Sequence, residues 1–253
     1  MRPCFIIGPC VIEEASINNG IASHIKELSL RYNADFYFKS SFDKANRTSL
    51  TSYRGPGLSV GLQILSDIKE QFNLPIVTDI HETSQALPVS RVADIIQIPA
   101  FLCRQTDLIV AAAKTGRVIN IKKGQFMSAA DMLYSVQKAR QSGAGEVYLT
   151  ERGNMYGYND LVVDFRNIPA MKDICHRVIM DCTHSVQIPG GNAGKSGGRP
   201  QYIESMALAA KAFGAEGYFF EVHPEPEKAL CDSACMLQLD KLEGIVKKLV
   251  DNK

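Results

Sequence analysis

No excess of charge marks this chain: 28 Lys and Arg face 27 Asp and Glu, for a formal net charge of +1. Nothing global points to nucleic acid or to a membrane surface, so any anion site must be built locally. No apolar run approaches the ~18 residues of a membrane-spanning helix. The N-terminal apolar stretch is short, broken by Pro9 and without a small-residue cleavage site, so no secretory signal is expected. Seven cysteines, at 4, 10, 103, 175, 182, 231 and 235, are an odd number without the spacing of a disulfide framework. A reducing, cytoplasmic setting is expected. The chain has no clear repeat, no low-complexity segment and no linker. It also lacks a glycine-rich dinucleotide turn after an early strand, the usual mark of a doubly wound open sheet.

What is present is a chain 45% hydrophobic and 22% charged, enough to bury a large core. Short β-branched or aromatic runs predict eight strands: Cys4–Cys10, Asp35–Ser40, Pro75–Ile80, Ile95–Pro99, Val118–Lys122, Glu146–Thr150, Arg177–Asp181 and Gly217–Val222. They are continuous more than alternating, as in strands covered on both faces. Helical stripes separate most of them. Ala15–Arg31, Leu58–Phe72, Thr106–Lys114, Ser128–Gln141, Tyr202–Phe213 and Met236–Val250 are expected helices. The helix between strands three and four is weak, and that after strand six is interrupted by "FRNIP". Gly116, Gly143 and Gly214 stand where glycine ends helices. Eight βα units about 30 residues apart predict a single (β/α)8 TIM barrel over residues 1–253.

In such a barrel the reactive residues gather at the C-terminal strand ends. Those ends read Cys10; Lys39; Asp79 and His81; Gln97; Lys122 and Lys123; Glu151 and Arg152; His184; Glu221 and His223. Two subsets emerge. Strands seven, eight and one become neighbours on closure, which would bring His184, Glu221 and Cys10 together, with Asp232 in reach from the following loop. Thiol, imidazole and carboxylates suit a divalent transition ion such as Zn²⁺, Fe²⁺ or Mn²⁺. The plain alternatives are Cys10 as buried filler and Asp232 as a helix N-cap. "CDSAC" (Cys231, Cys235) is a rival metal fragment, here read as two structural cysteines. The second subset is basic: Lys39, Lys44, Arg47, Lys122, Lys123, Arg152, Lys195 and Arg199. With the Gly-rich stretch 189–200 and Ser196, it implies a polyanionic ligand.

The motifs "GPC" (8–10), "KSSFDKANRTS" (39–49), "TDIHE" (78–82), "QIPAFLCRQTDL" (97–108), "KKGQF" (122–126), "TERG" (150–153), "THSVQ" (183–187), "KSGG" (195–198) and "HPEPEKAL" (223–230) closely resemble the 3-deoxy-D-manno-octulosonate 8-phosphate (KDO-8-phosphate) synthase family. The matches run in order along nearly the whole chain. The resemblance implies a cytoplasmic TIM-barrel homotetramer that condenses phosphoenolpyruvate with arabinose 5-phosphate for lipopolysaccharide synthesis. Cys10 resembles the metal-dependent class, with His184, Glu221 and Asp232 as its other ligands. Related synthases that use erythrose 4-phosphate typically read "KPRTS" where this chain reads "KANRTS", so Asn46 favours the pentose phosphate. By the same resemblance Lys122, Arg152, Gln97 and Lys39 hold phosphoenolpyruvate, with Lys123 beside them. Arg47 and Ser196 take the aldose phosphate, with Lys44 and Asn46 nearby, and Asp79 or His81 moves the proton. Two rivals are a Schiff-base aldolase with Lys122 or Lys39 as nucleophile and a sugar-phosphate-binding protein without catalysis.

Overall fold

The computed structural model describes residues 2–192 and 195–251, with the backbone alone described at 191, 192, 195 and 196. Eight parallel strands follow one another around a closed barrel: β1 Cys4–Gly8, β2 Asp35–Lys39, β3 Ile76–Asp79, β4 Ile95–Ile98, β5 Val118–Lys122, β6 Val147–Glu151, β7 Arg177–Asp181 and β8 Gly217–His223. Closure is direct, because Cys4 pairs with Asp35 on one side and with Gly217 on the other. The helices are α1 Ala15–Arg31, α2 Leu58–Phe72, α3 Ala86–Ser90, α4 Thr106–Ala113, α5 Met132–Gln141, α6 Asn167–Lys172, α7 Ile203–Ala212 and α8 Leu242–Val250. No helix among the described residues is long and apolar enough to cross a membrane.

The strands bury both faces, and the pleat divides their residues. Phe5, Ile7, Phe38, Ile96, Ile119, Ile121, Leu149, Val178 and Phe220 belong to the large core beneath the helices. Cys4, Ile6, Val77, Ile95, Tyr148, Ile179 and Phe219 fill the barrel interior. A two-residue period therefore separates wall from interior on every strand. This is why the runs look continuous in sequence.

Several expected boundaries move. β1 stops at Gly8, and Val11 makes only an isolated bridge to Ser41. A Cβ at Gly8 would lie 1.9 Å from the Lys39 carbonyl oxygen, so only glycine allows β1 and β2 to approach this closely. α5 begins at Met132 rather than Ser128: the Ser128 hydroxyl donates to Asp131 Oδ2 at 2.8 Å and closes a turn ahead of the helix. α8 begins at Leu242 rather than Met236, because Leu237–Gln238 adds a short parallel strand to the end of β8. The weak segment after β3 is one 3₁₀ turn, Thr83–Gln85, followed by the five-residue α3. Gly116, Gly143 and Gly214 take φ of 74°, 102° and 84°, the left-handed conformation expected at helix ends.

Candidate active site

The barrel interior changes character two residues further along each strand. Above Ile6, Tyr37, Val77, Ile95, Tyr148, Ile179 and Phe219 come Gly8, Lys39, Asp79, Gln97, Thr150, Asp181 and Glu221, and Asn120 and Lys122 follow Val118 on β5. The same step continues to Cys10 and Arg152 beyond the strand ends. An apolar floor thus carries a polar layer at the C-terminal mouth, made by strand alternation alone.

Cations line this layer. The Lys122 ammonium stands 3.9 Å from the centre of the Phe219 ring and 2.7 Å from Asp181 Oδ2. Burial pushes its pKa below the ordinary lysine value, against the pull of Asp181. Lys39 approaches the same ring at 5.7 Å and donates to the Ser41 hydroxyl at 2.9 Å. Arg152 is buried, and its guanidinium has one long contact, 3.4 Å from Nη2 to Gln187 Oε1. Its Nη1 and the Gln97 Nε2 have no hydrogen-bond partner in the protein among the described residues. Buried donors without partners are costly, and an anion in the mouth would satisfy both.

Asp79 is the hub of the opposite wall. It accepts the Ser41 hydroxyl, lies 3.5 Å from the Lys39 ammonium, and meets His81 Nε2 at 3.0 Å. Burial alone would raise its pKa. Lys39, His81 and Lys44 outweigh burial and hold it well below the usual carboxylate range. An ionised carboxylate against one imidazole nitrogen orients the ring and leaves it able to carry a proton.

The metal-donor candidates form two overlapping triads that share Asp232. Ligand atoms of His184, Glu221 and Asp232 lie within 4.8 Å of one another, as do those of Cys10, Cys231 and Asp232. His184 Nε2 is 3.5 Å from Glu221 Oε2 and 3.6 Å from Asp232 Oδ2. The Cys10 thiol donates to Asp232 Oδ2 at 3.1 Å. Asp232 holds a left-handed backbone (φ 48°) at the start of a 3₁₀ turn, and its side chain caps nothing. A residue without glycine's freedom pays for that conformation, and such strain gathers at functional sites. Glu221 is buried, and neither carboxylate oxygen has a hydrogen-bond partner among the described residues. An orphaned buried carboxylate beside an imidazole, a thiol and a second carboxylate fits a divalent cation. Burial, with Cys231 and Asp232 alongside, pushes the Cys10 thiol pKa well above its usual value, so ligation there would release a proton.

Over residues 1–253 the sequence matches the family described as the DAHP synthetase I family. The chain belongs to the DAHP synthetase I family. Among its relatives, a protein of Campylobacter jejuni named 2-dehydro-3-deoxyphosphooctonate aldolase is 51% identical, the match covering 97% of this chain and 94% of the relative. Proteins of the same name from Desulfotalea psychrophila and Nitratidesulfovibrio vulgaris are 49% and 52% identical, with 98% of this chain covered in each case. That name is another for KDO-8-phosphate synthase, which the sequence motifs resemble.

Not every expected residue reaches the mouth of this family member. Lys123 and Glu151 have the opposite strand parity from Lys122 and Arg152. They lie outside the barrel wall and pair with each other at 3.4 Å. The Lys123 ammonium is spent on protein groups, donating to Asn154 Oδ1 at 2.9 Å as well. Asn46 is exposed, in the loop after β2. Lys44 reaches inward to 3.8 Å from Glu221 Oε1. Arg47 Nη1 donates to the Cys231 sulfur at 2.8 Å, and Cys231 lies beside Cys10 and Asp232 at the edge of the mouth. Arg199 pairs instead with Asp160, at 2.9 Å. Ser196 and Lys195 lie in a hairpin, Gln187–Asn192 with Lys195–Gly198, and their side chains lie outside the described residues. The contributors not anticipated include Asp181, Asn120, Thr150 and Ser41. Stepping by two along β5 and β7 from Val118 and Ile179 would have reached the first two. Ser41 lies beyond β2 and shows itself only through its bonds to Lys39 and Asp79.

Proposed function

We propose that this chain condenses phosphoenolpyruvate with D-arabinose 5-phosphate and water, yielding 3-deoxy-D-manno-octulosonate 8-phosphate and inorganic phosphate for lipopolysaccharide synthesis. The observation that carries this reading is the partnerless pair of donors, Arg152 Nη1 and Gln97 Nε2, beside two buried lysines at the mouth of a barrel about half identical to aldolases of that name. In this reading Lys122, Arg152, Gln97 and Lys39 grip the carboxylate and phosphate of phosphoenolpyruvate. Arg47, Lys44, Asn46 and Ser196 receive the aldose phosphate.

The chemistry follows from holding two anions in line at a water-poor site. C3 of phosphoenolpyruvate attacks the aldehyde carbon, and the aldehyde oxygen takes a proton. Water adds at C2 and gives up a proton. The resulting phosphohemiketal collapses by C–O cleavage, its hydroxyl proton leaving as phosphate departs and the C2 ketone forms. Asp79 and His81 are the groups we assign to proton movement. Cys10, His184, Glu221 and Asp232 would hold one divalent ion, which would supply charge to polarise an oxygen of the aldose or of water. We further infer a cytoplasmic homotetramer. Seven free cysteines support the reducing compartment, and the family resemblance supports the assembly.

One observation favours a second reading. Burial lowers the pKa of Lys122, as in amine nucleophiles that form Schiff bases. Borohydride with a keto substrate would trap that enzyme, and a chelator would leave it active. The deciding assay is phosphate release from phosphoenolpyruvate with arabinose 5-phosphate against erythrose 4-phosphate, before and after chelator dialysis. Release that needs the pentose phosphate and falls with chelation is expected. Release with the tetrose alone, or none with either, overturns the proposal.

A further inference from the structure

Just outside the mouth, the tips of β5 and β6 carry a fully buried ion pair. Lys122 pairs in register with Thr150, and the Lys123 amide donates to the Thr150 carbonyl at 2.8 Å. Lys123 and Glu151 therefore project together behind the wall, each one residue from a cation of the mouth. Both side chains are 0% exposed. Glu151 does more than neutralise Lys123. Its Oε1 accepts the backbone N–H groups of Arg152 at 2.9 Å and Gly153 at 2.7 Å, and its Oε2 accepts Asn167 Nδ2 at 3.0 Å. Gly153 has φ 89°, so successive amides converge on one carboxylate oxygen. Arg152, by contrast, has a single long side-chain contact among the described residues. Its guanidinium is aimed from the backbone, and the backbone is held by Glu151.

We propose that the Lys123–Glu151 pair is a positioning device that aims Arg152 at the phosphoenolpyruvate anion. Glu151 fixes the turn, Lys123 stands against it at 3.4 Å as its ion-pair partner, and neither touches substrate. This role rests on the mouth being a phosphoenolpyruvate site. A buried pair kept only for stability is replaceable by apolar residues of similar size with little loss. A positioning pair is not, because a small displacement of a gripping group costs roughly a hundredfold.

The test compares two double variants by thermal melting, by calorimetric titration with phosphoenolpyruvate, and by KM for each substrate. Lys123→Met with Glu151→Gln removes both charges and keeps an acceptor for the two amides. Its KM for phosphoenolpyruvate is expected to stay within about threefold of wild type. Lys123→Met with Glu151→Leu removes the acceptor too. It is expected to melt below the glutamine variant, because two buried amides and Asn167 Nδ2 lose their acceptor, and to fold at assay temperature while KM and Kd for phosphoenolpyruvate rise roughly ten- to a hundredfold, with KM for the aldose phosphate little changed. Gly153→Ala strains the same turn from its other side and carries the test if the leucine variant does not fold. Wild-type affinity for phosphoenolpyruvate in the folded leucine variant, or in Gly153→Ala, overturns the proposal. So does a rise in KM that simply tracks melting temperature or strikes both substrates alike. Wild-type protein that binds no phosphoenolpyruvate refutes the function reading itself, and the positioning role with it.

Discussion

Asp181→Asn isolates the group on which the cationic wall depends. The carboxylate is fully buried, 2.7 Å from the Lys122 ammonium and 2.8 Å from His184 Nδ1, and it also accepts the His184 amide and the Thr183 hydroxyl. At an effective dielectric of about 20, a pair at that separation attracts by roughly 6 kcal/mol, most of which repays desolvation. Asparagine keeps an acceptor for the amide and hydroxyl but leaves the ammonium unpaired on the Phe219 ring. Breaking a buried pair from one side costs about 3–5 kcal/mol, and the retained acceptor argues for about 3. In a barrel of this size that lowers Tm by roughly 6–12 °C. Without Asp181, burial pushes the Lys122 pKa lower still, and the alkaline limb of activity should move to lower pH. Loss of one preorganised charge is expected to reduce kcat/KM for phosphoenolpyruvate about a hundredfold. Melting curves and initial rates of phosphate release measure both effects. Adding Lys122→Met should recover part of the lost stability and none of the activity. A single variant with wild-type Tm and wild-type KM would refute the claim that this pair holds the wall together.

Other perturbations probe the remaining parts. Cys10→Ala should lose bound metal and activity together, measured as metal content after dialysis and as phosphate release; full activity after exhaustive chelation would remove the metal assignment. Gly8→Ala places a methyl against the Lys39 carbonyl and should cost more than the ~1–3 kcal/mol of ordinary overpacking, read as a large fall in Tm. Asp79 has a depressed pKa in the folded protein. It therefore contributes stability above its unfolded value of about 3.9, lost as pH falls toward the folded value. Denaturant melts should find Asp79→Asn less stable than wild type at pH 7, with the gap closing below pH ~4; a gap that widens in acid would reverse the sign of the argument.

The contrast between Lys122 and Lys123 shows how far residue identity carries. Both end the same apolar run and both looked like anion ligands. One faces the interior and the other lies behind the wall against Glu151 and Asn154, a distinction that strand period expresses but charge does not. Glu151 and Arg152 divide in the same way. The glycines at 116, 143 and 214 were readable because a helix end is a local event governed by φ. The starts of α5 and α8 were not, because they depend on a side-chain bond at Ser128 and on strand addition at Leu237.

The sequence by itself determined the eight-unit barrel, the strand ends where its polar residues gather, and the thiol, imidazole and carboxylates suited to a metal. Periodicity and strand ends are short-range properties, written in neighbouring residues. Only the tertiary structure decided that Asp181 holds Lys122, that Asp232 joins two donor triads, and that Cys231 meets Arg47 across 184 positions of chain. Those contacts arise when the barrel closes, and closure brings together side chains that no local pattern connects.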